Sequence, residues 1–158
     1  MIAVNRKSIS RIALLVVGLV LCAGVTAVAV DEVNTDRTGL AIDGYDPVAY
    51  FVAARPLKGS FQITAEYEGA VYRFVTEHSR KLFLASPQRY APKYGGYCAY
   101  GVSVGQKFSA DPTVWQIEDG RLYLNLDSDI AELFNQDLQA NIAKAEKSWK
   151  SLADQPAK

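Results

Sequence analysis

Thiols and imidazoles are scarce in this chain: its 158 residues hold two cysteines and one histidine. A single histidine excludes every metal centre built on several imidazoles. It also leaves His78 as the sole imidazole base for a cysteine nucleophile. There is no Cys-x-x-Cys, no His-Glu-x-x-His and no Gly-x-Ser-x-Gly. Neither a phosphate-binding glycine loop nor a dinucleotide fingerprint occurs. The carboxylates are spread singly over caps and turns rather than set in acid/base pairs. The expectation is a protein without catalytic activity. An excess of basic charge is lacking too, since 17 Lys and Arg balance 17 Asp and Glu, which argues against nucleic acid as a partner.

Long apolar runs are confined to the N-terminus. Arg6, Lys7 and Arg11 precede the run Ile12 to Val20, and Ala27-Val28-Ala29 supplies a small-x-small cleavage pattern. The run is short of the roughly 20 residues a membrane span takes. Residues 1–29 are therefore expected to be a cleaved secretory signal, placing the protein in the periplasm or outside the cell. No stable membrane insertion is expected after cleavage. Leu21 occupies the position before Cys22 where a lipobox needs a small residue. Cleavage after Ala29 leaves 14 basic against 17 acidic residues, a net charge of −3, and leaves Cys98 as the only cysteine. An odd thiol in an oxidising compartment points to a ligand, a reactive group or an intermolecular bond. The alternative is a small hydrophobe buried in the core.

Residues 30–39 lack periodicity and are expected to form a flexible leader to a domain spanning 40–152, with a frayed tail at 153–158. In the domain, Asp46-Pro47 predicts a capped helix through Phe51. Residues 61–65 and 71–75 alternate about Glu68-Gly69 as a hairpin, and 113–117 with 121–125 form a second about Glu118-Asp119-Gly120. Thr76 caps a helix carrying Leu82, Phe83 and Ala85 inward, and Ser86-Pro87 begins a short one bearing Tyr90. Residues 101–111 read as polar loop, with Asp111-Pro112 as a second cap-and-proline pair. Asp129 and Glu132 make a capping box for a long amphipathic helix with Ile130, Phe134, Leu138, Ile142, Ala145 and Trp149 on one face. The fold class is α+β: a small antiparallel sheet from two β-hairpins, covered by short helices and a long C-terminal amphipathic helix.

The most distinctive stretch is Tyr94-Gly95-Gly96-Tyr97-Cys98-Ala99-Tyr100-Gly101. Adjacent glycines shape the backbone, and the phenols pack while seeking hydroxyl partners. Tyr45, Tyr94, Gly95, Gly96, Tyr97 and Tyr100 are the candidate binding-pocket residues. His78 falls in the first turn of its helix, where a neutral ring is favoured. Asp46 is accounted for by capping, with ligation as an added role.

The motifs Gly44-Tyr45-Asp46-Pro47-Val48-Ala49-Tyr50-Phe51, Tyr67-Glu68-Gly69-Ala70-Val71-Tyr72-Arg73-Phe74, Phe83, Pro87, Tyr90, Tyr94-Gly95-Gly96-Tyr97-Cys98-Ala99 and Gly120-Arg121-Leu122-Tyr123-Leu124-Asn125 resemble the longer, exported bacterial branch of the YHS-domain family. The resemblance covers nearly all of the chain expected to remain after cleavage. Shorter members of that family look like metal-binding appendages of heavy-metal proteins. Their Tyr-His-Ser tripeptide is replaced here by Ile63-Thr64-Ala65, and Val75 and Ser79 stand where two cysteines would be. The donors left are Cys98 and His78, with Asp46 and the tyrosines as oxygen partners, a set suited to copper or zinc. Three readings stay open: a soft-metal site, copper foremost; an interaction or structural module recognising a periplasmic protein through its tyrosines; and a small-ligand or redox-thiol pocket.

Overall fold

The computed structural model describes residues 32–157, so the expected signal segment and its cleavage site lie outside the described residues. Chain order is a 3-10 turn (Ile42–Gly44), α1 (Ala49–Val52), β1 (Ser60–Tyr67), β2 (Ala70–Phe74), α2 (Glu77–Ala85) and α3 (Pro87–Tyr90). A second 3-10 turn (Lys93–Gly96), α4 (Ala99–Ser103), β3 (Asp111–Glu118), β4 (Arg121–Asn125), α5 (Ser128–Gln136) and α6 (Leu138–Leu152) follow. The fold is α+β, and each hairpin is its own two-stranded antiparallel sheet.

Both hairpins close through two residues with positive φ, Glu68-Gly69 (49° and 76°) and Asp119-Gly120 (48° and 69°). That backbone matches the right-handed twist of the flanking strands. Each ladder carries a register shift at its open end, between Ser60 and Thr64 and between Asp111 and Trp115. Strand β2 alternates buried Ala70, Tyr72 and Phe74 with half-exposed residues, as a strand with one covered face should. In β4, Leu122 through Asn125 are all buried, so this strand is covered on both faces.

The α2 start is as expected: Thr76 Oγ1 accepts from the Ser79 N–H, and Ser79 Oγ accepts from the Thr76 N–H, closing a capping box. Phe83 is the inward anchor of that helix, packed on Tyr67, Tyr72 and Phe74, whereas Ala85 faces out.

Four local expectations are corrected. Residues 99–103, read as loop from Gly101 onward, continue as α4, which packs its buried Ala99 and Val102 toward α6. The Asp111-Pro112 pair opens β3 rather than a helix, because Asp111 Oδ1 accepts from the Thr113 N–H at 2.7 Å in a local turn. The cap of α5 is Asp127, whose carboxylate accepts from the Ile130 N–H at 2.8 Å; Asp129 lies inside the helix. The single long helix is two, broken at Asp137 (φ −142°, ψ 65°). Asn141 holds the break, its Nδ2 donating to the carbonyls of Leu133 and Phe134 that end α5.

Two apolar clusters result. One gathers Val48, Tyr50, Tyr72, Phe74, Phe83, Leu122 and Leu124. The other gathers Tyr94, Tyr97, Val102, Tyr123, Phe134, Ala145 and Leu152, with Trp149 packed against it. The segment expected as a loose leader is docked. Val33 is buried, the Asn34 N–H donates to the Gly95 carbonyl at 2.9 Å, and Thr35 pairs with Ala41. At the other end the buried Lys107 Nζ donates to the carbonyls of Ala153 and Gln155, tying down the start of the expected frayed tail.

Candidate functional site

The tyrosine loop is built on three consecutive left-handed residues, Tyr94 (φ 55°), Gly95 (φ 60°) and Gly96 (φ 83°). A Cβ on Gly95 would fall 1.9 Å from the Glu32 carbonyl oxygen, so the docked N-terminal segment itself demands glycine there. The turn drives the Tyr94 ring inward against Tyr123 and Trp149, where it is 2% exposed. Its hydroxyl donates to Glu146 Oε1 at 3.3 Å, and burial pushes its pKa far above the ordinary phenol value. Tyr97 is also sealed, stacked obliquely on Trp149 with the Lys107 ammonium 5.0 Å from its ring centre.

Cys98 is 1% exposed and caps α4: its Sγ accepts from the Gly101 N–H at 3.4 Å. The thiol donates toward Asn125 Oδ1 at 3.7 Å, and that oxygen also accepts from the Tyr100 N–H at 3.1 Å. Burial raises the Cys98 pKa, opposed in part by the N–H groups of Gly101, Leu126 and Tyr100. The group is a packed thiol rather than an activated thiolate.

The other proposed ligands stand apart in kind. His78 is exposed on the first turn of α2. Asp46 is buried, and both its oxygens are taken at 2.8 Å, one by the Val48 N–H and one by the Val75 N–H. The carboxylate thus staples the entry to α1 onto the end of β2. Cys98, His78 and Asp46 do not converge: among the described residues no three His, Cys, Asp or Glu side chains gather where they could hold one ion. Tyr45 is likewise remote from the loop's role, lying under the Lys58 ammonium at 3.9 Å. Of the candidate pocket residues, Tyr94 and Gly95 line the groove described next, and Gly96 lines a smaller cleft beside Asn34.

That groove, about 320 Å³, opens where Glu32 and the C-terminal part of α6 meet both hairpin turns. Its walls come from Glu32, from Tyr67 and Glu68 at the first turn, from Gln88 and residues 91–95, from Arg121 at the second turn, and from Trp149 on α6. It adjoins a larger, more open cleft of about 560 Å³ that shares Tyr67, Gln88 and Arg121. Arg121 stands at this junction. Its charge reaches the phenols of Tyr67, Tyr94 and Tyr123 and opposes the rise in their pKa that burial causes. Tyr67 is nonetheless pushed up to about 12 by burial and by Glu68 beside it. The Arg121 Nε is buried and has no hydrogen-bond partner among the described residues. The carboxylate opposite it in the hairpin, Glu118, is drawn away: its Oε1 accepts from Gln139 Nε2 at 3.1 Å. Lys93, the other cation on the groove, is paired with Glu146 at 2.6 Å.

Sequence reading did not single out Arg121. The signal was present in the alternation of β4, which sets Arg121 on one face with Tyr123 and Asn125, both buried. A cation sharing a face with buried side chains is unusual enough to mark.

Compared with protein-family models, curated proteins and solved structures, the chain has no significant match.

Proposed function

We propose that this chain is an exported, non-enzymatic YHS-like binding domain whose ligand site is the groove at Arg121. The observation that carries this reading is the groove's construction. Segments far apart in sequence converge on a concavity that has Tyr67, Tyr94 and Trp149 among its walls with Lys93 and Arg121 beside them, aromatic surface and a few polar groups being features of small-molecule sites. The tyrosine loop then serves as scaffold: it positions Tyr94 and Gly95 on the groove while sealing Cys98. A soft-metal site through Cys98, His78 and Asp46, with copper or zinc as cofactor, draws no support from their placement, since one is sealed, one exposed and one fully hydrogen-bonded.

Amide and indole NMR of the purified protein, titrated with a mixed panel of anionic, neutral and cationic aromatic fragments, tests the reading. Shifts confined to residues 91–95, Arg121 and the Trp149 indole support it. A panel that leaves these signals unmoved overturns it. A rise in melting temperature with Cu(I), abolished in Cys98→Ser, would restore the metal reading in its place. Export is checked by intact mass of the periplasmic fraction, expected to begin at Val30.

A further inference from the structure

The groove at Arg121 continues into the cleft beside it, and we infer that the ligand lying along both is a neutral oligosaccharide of two or more rings. This rests on the reading of the groove as the ligand site and specifies what enters it. The groove and the cleft, about 320 and 560 Å³, share Tyr67, Gln88 and Arg121 and so form one furrow past both hairpin turns. Each lobe falls in the range of about 300–1,000 Å³ that holds a compact small molecule, so a single ring would leave one of them empty.

The charges on the walls select against ions of either sign. Glu32 and Glu68 stand on the groove, Arg89 on the cleft and Arg121 on both, and among the described residues none of the four is in an ion pair. Lys93, the remaining cation, is neutralised by Glu146. Two carboxylates and two guanidiniums therefore balance along the furrow. A net charge on the ligand would gain from one pair and lose against the other. The same groups suit hydroxyls, because a carboxylate only accepts, a guanidinium only donates, and a hydroxyl does both. Gln88, exposed and common to both lobes, adds an amide that donates and accepts. Tyr67 and Trp149, each half-buried, contribute ring surface against which the apolar face of a sugar can rest. An extended peptide is also neutral with donors and acceptors, but adding one to a sheet needs a free strand edge. Here the hairpins present their turn ends, at Tyr67 and Glu68 and at Gly120 and Arg121.

Calorimetric and amide NMR titrations of the purified protein test this. The neutral probes are triacetylchitotriose, cellotriose and maltotriose, each beside its monosaccharide. Trigalacturonate, the deacetylated glucosamine trimer and a proline-rich peptide are the anionic, cationic and peptidic counterparts. At least one neutral trisaccharide should bind about tenfold or more tightly than its monosaccharide and move signals in both lobes, the Trp149 indole and the Arg89 and Gly120 amides. Its affinity should stay within about twofold between about 20 and about 300 mM salt, as for an uncharged ligand. Gln88→Ala, at an exposed position both lobes share, should weaken binding at least about fivefold with the melting temperature unchanged. Tighter binding of either charged trimer or of the peptide, a monosaccharide equal to its trimer, or full affinity in Gln88→Ala would each overturn the inference while leaving the groove as a ligand site. So would silence from every neutral saccharide while an aromatic fragment of the wider panel moves the groove signals. If nothing moves them, the inference and the proposed function fail together.

Discussion

Cys98 and Arg121 each carry a reactive or charged group into the interior, yet they end in opposite conditions. Around Cys98 every donor has an acceptor: Sγ caps α4 and Asn125 receives both the thiol and the Tyr100 N–H. Around Arg121 the residue paired with it across the hairpin, Glu118, bonds to Gln139, and Nε has no hydrogen-bond partner among the described residues. Both are products of tertiary packing, but only one is complete without a ligand. A satisfied polar group is explained by the fold it stabilises, whereas an unsatisfied one asks for something outside the fold. Asp46 belongs with Cys98 in this respect. Each of its oxygens accepts from one backbone amide, and its role is to join α1 to β2.

Substitutions can break this division, and the largest effect is expected at Asp46. Asp46→Ala strips the acceptors from two backbone N–H groups and should destabilise by about 2–4 kcal/mol in chemical denaturation. A loss below about 1 kcal/mol would mean that the carboxylate is not structural and would reopen ligation. Asn125→Ala should cost about 1–3 kcal/mol by leaving the Tyr100 N–H and the Cys98 thiol without their shared acceptor.

Cys98→Ala is expected to cost about 1 kcal/mol, and the native thiol should react with a thiol reagent only as fast as the protein opens. Prompt labelling of native protein would place Cys98 at the surface. The same site has a pH signature. The folded-state pKa of Cys98 is raised above its ordinary value of 9.0. Its contribution to stability is therefore complete below that value and is lost as pH rises through and beyond it. Tyr50, Tyr72, Tyr94 and Tyr123 are raised in the same direction by burial and extend the loss above pH 10. Melting temperature should fall with pH above about 9, and Cys98→Ala should delay the onset until the tyrosines ionise.

The smallest effect is expected at Arg121. Arg121→Gln should leave stability within about 0.5 kcal/mol of the parent, because no hydrogen bond of Nε is lost. A loss like that at Asn125 would show that the guanidinium already has a structural partner and would erase the contrast between the two regions.

Local pattern carried much of the architecture. Alternation about Glu68-Gly69 and Asp119-Gly120 located both hairpins, and Thr76 and Pro87 marked helix starts, because turn and cap chemistry act over three or four residues. The misread positions have separate local causes. Cys98 is not a usual cap residue, so α4 was invisible. The apolar face from Ile130 to Trp149 keeps its period across Asp137, so the break between α5 and α6 was hidden. The capping role of Asp127 rather than Asp129 turns on a two-residue offset that side-chain spacing does not resolve.

The sequence by itself determined the α+β class, the two turns and the aromatic inventory, since these follow from backbone propensity and periodicity along the chain. Tertiary structure alone decided which polar groups are satisfied. Asp46 meets Val75, Asn34 meets Gly96 and Glu118 meets Gln139 across separations of 21 to 62 residues, and no local pattern encodes such meetings. Hydrogen-bond satisfaction is a property of the space around an atom. Hence Cys98, prominent in the sequence, closes a packed core, while Arg121, plain in the sequence, lines a groove and buries an Nε that has no hydrogen-bond partner among the described residues.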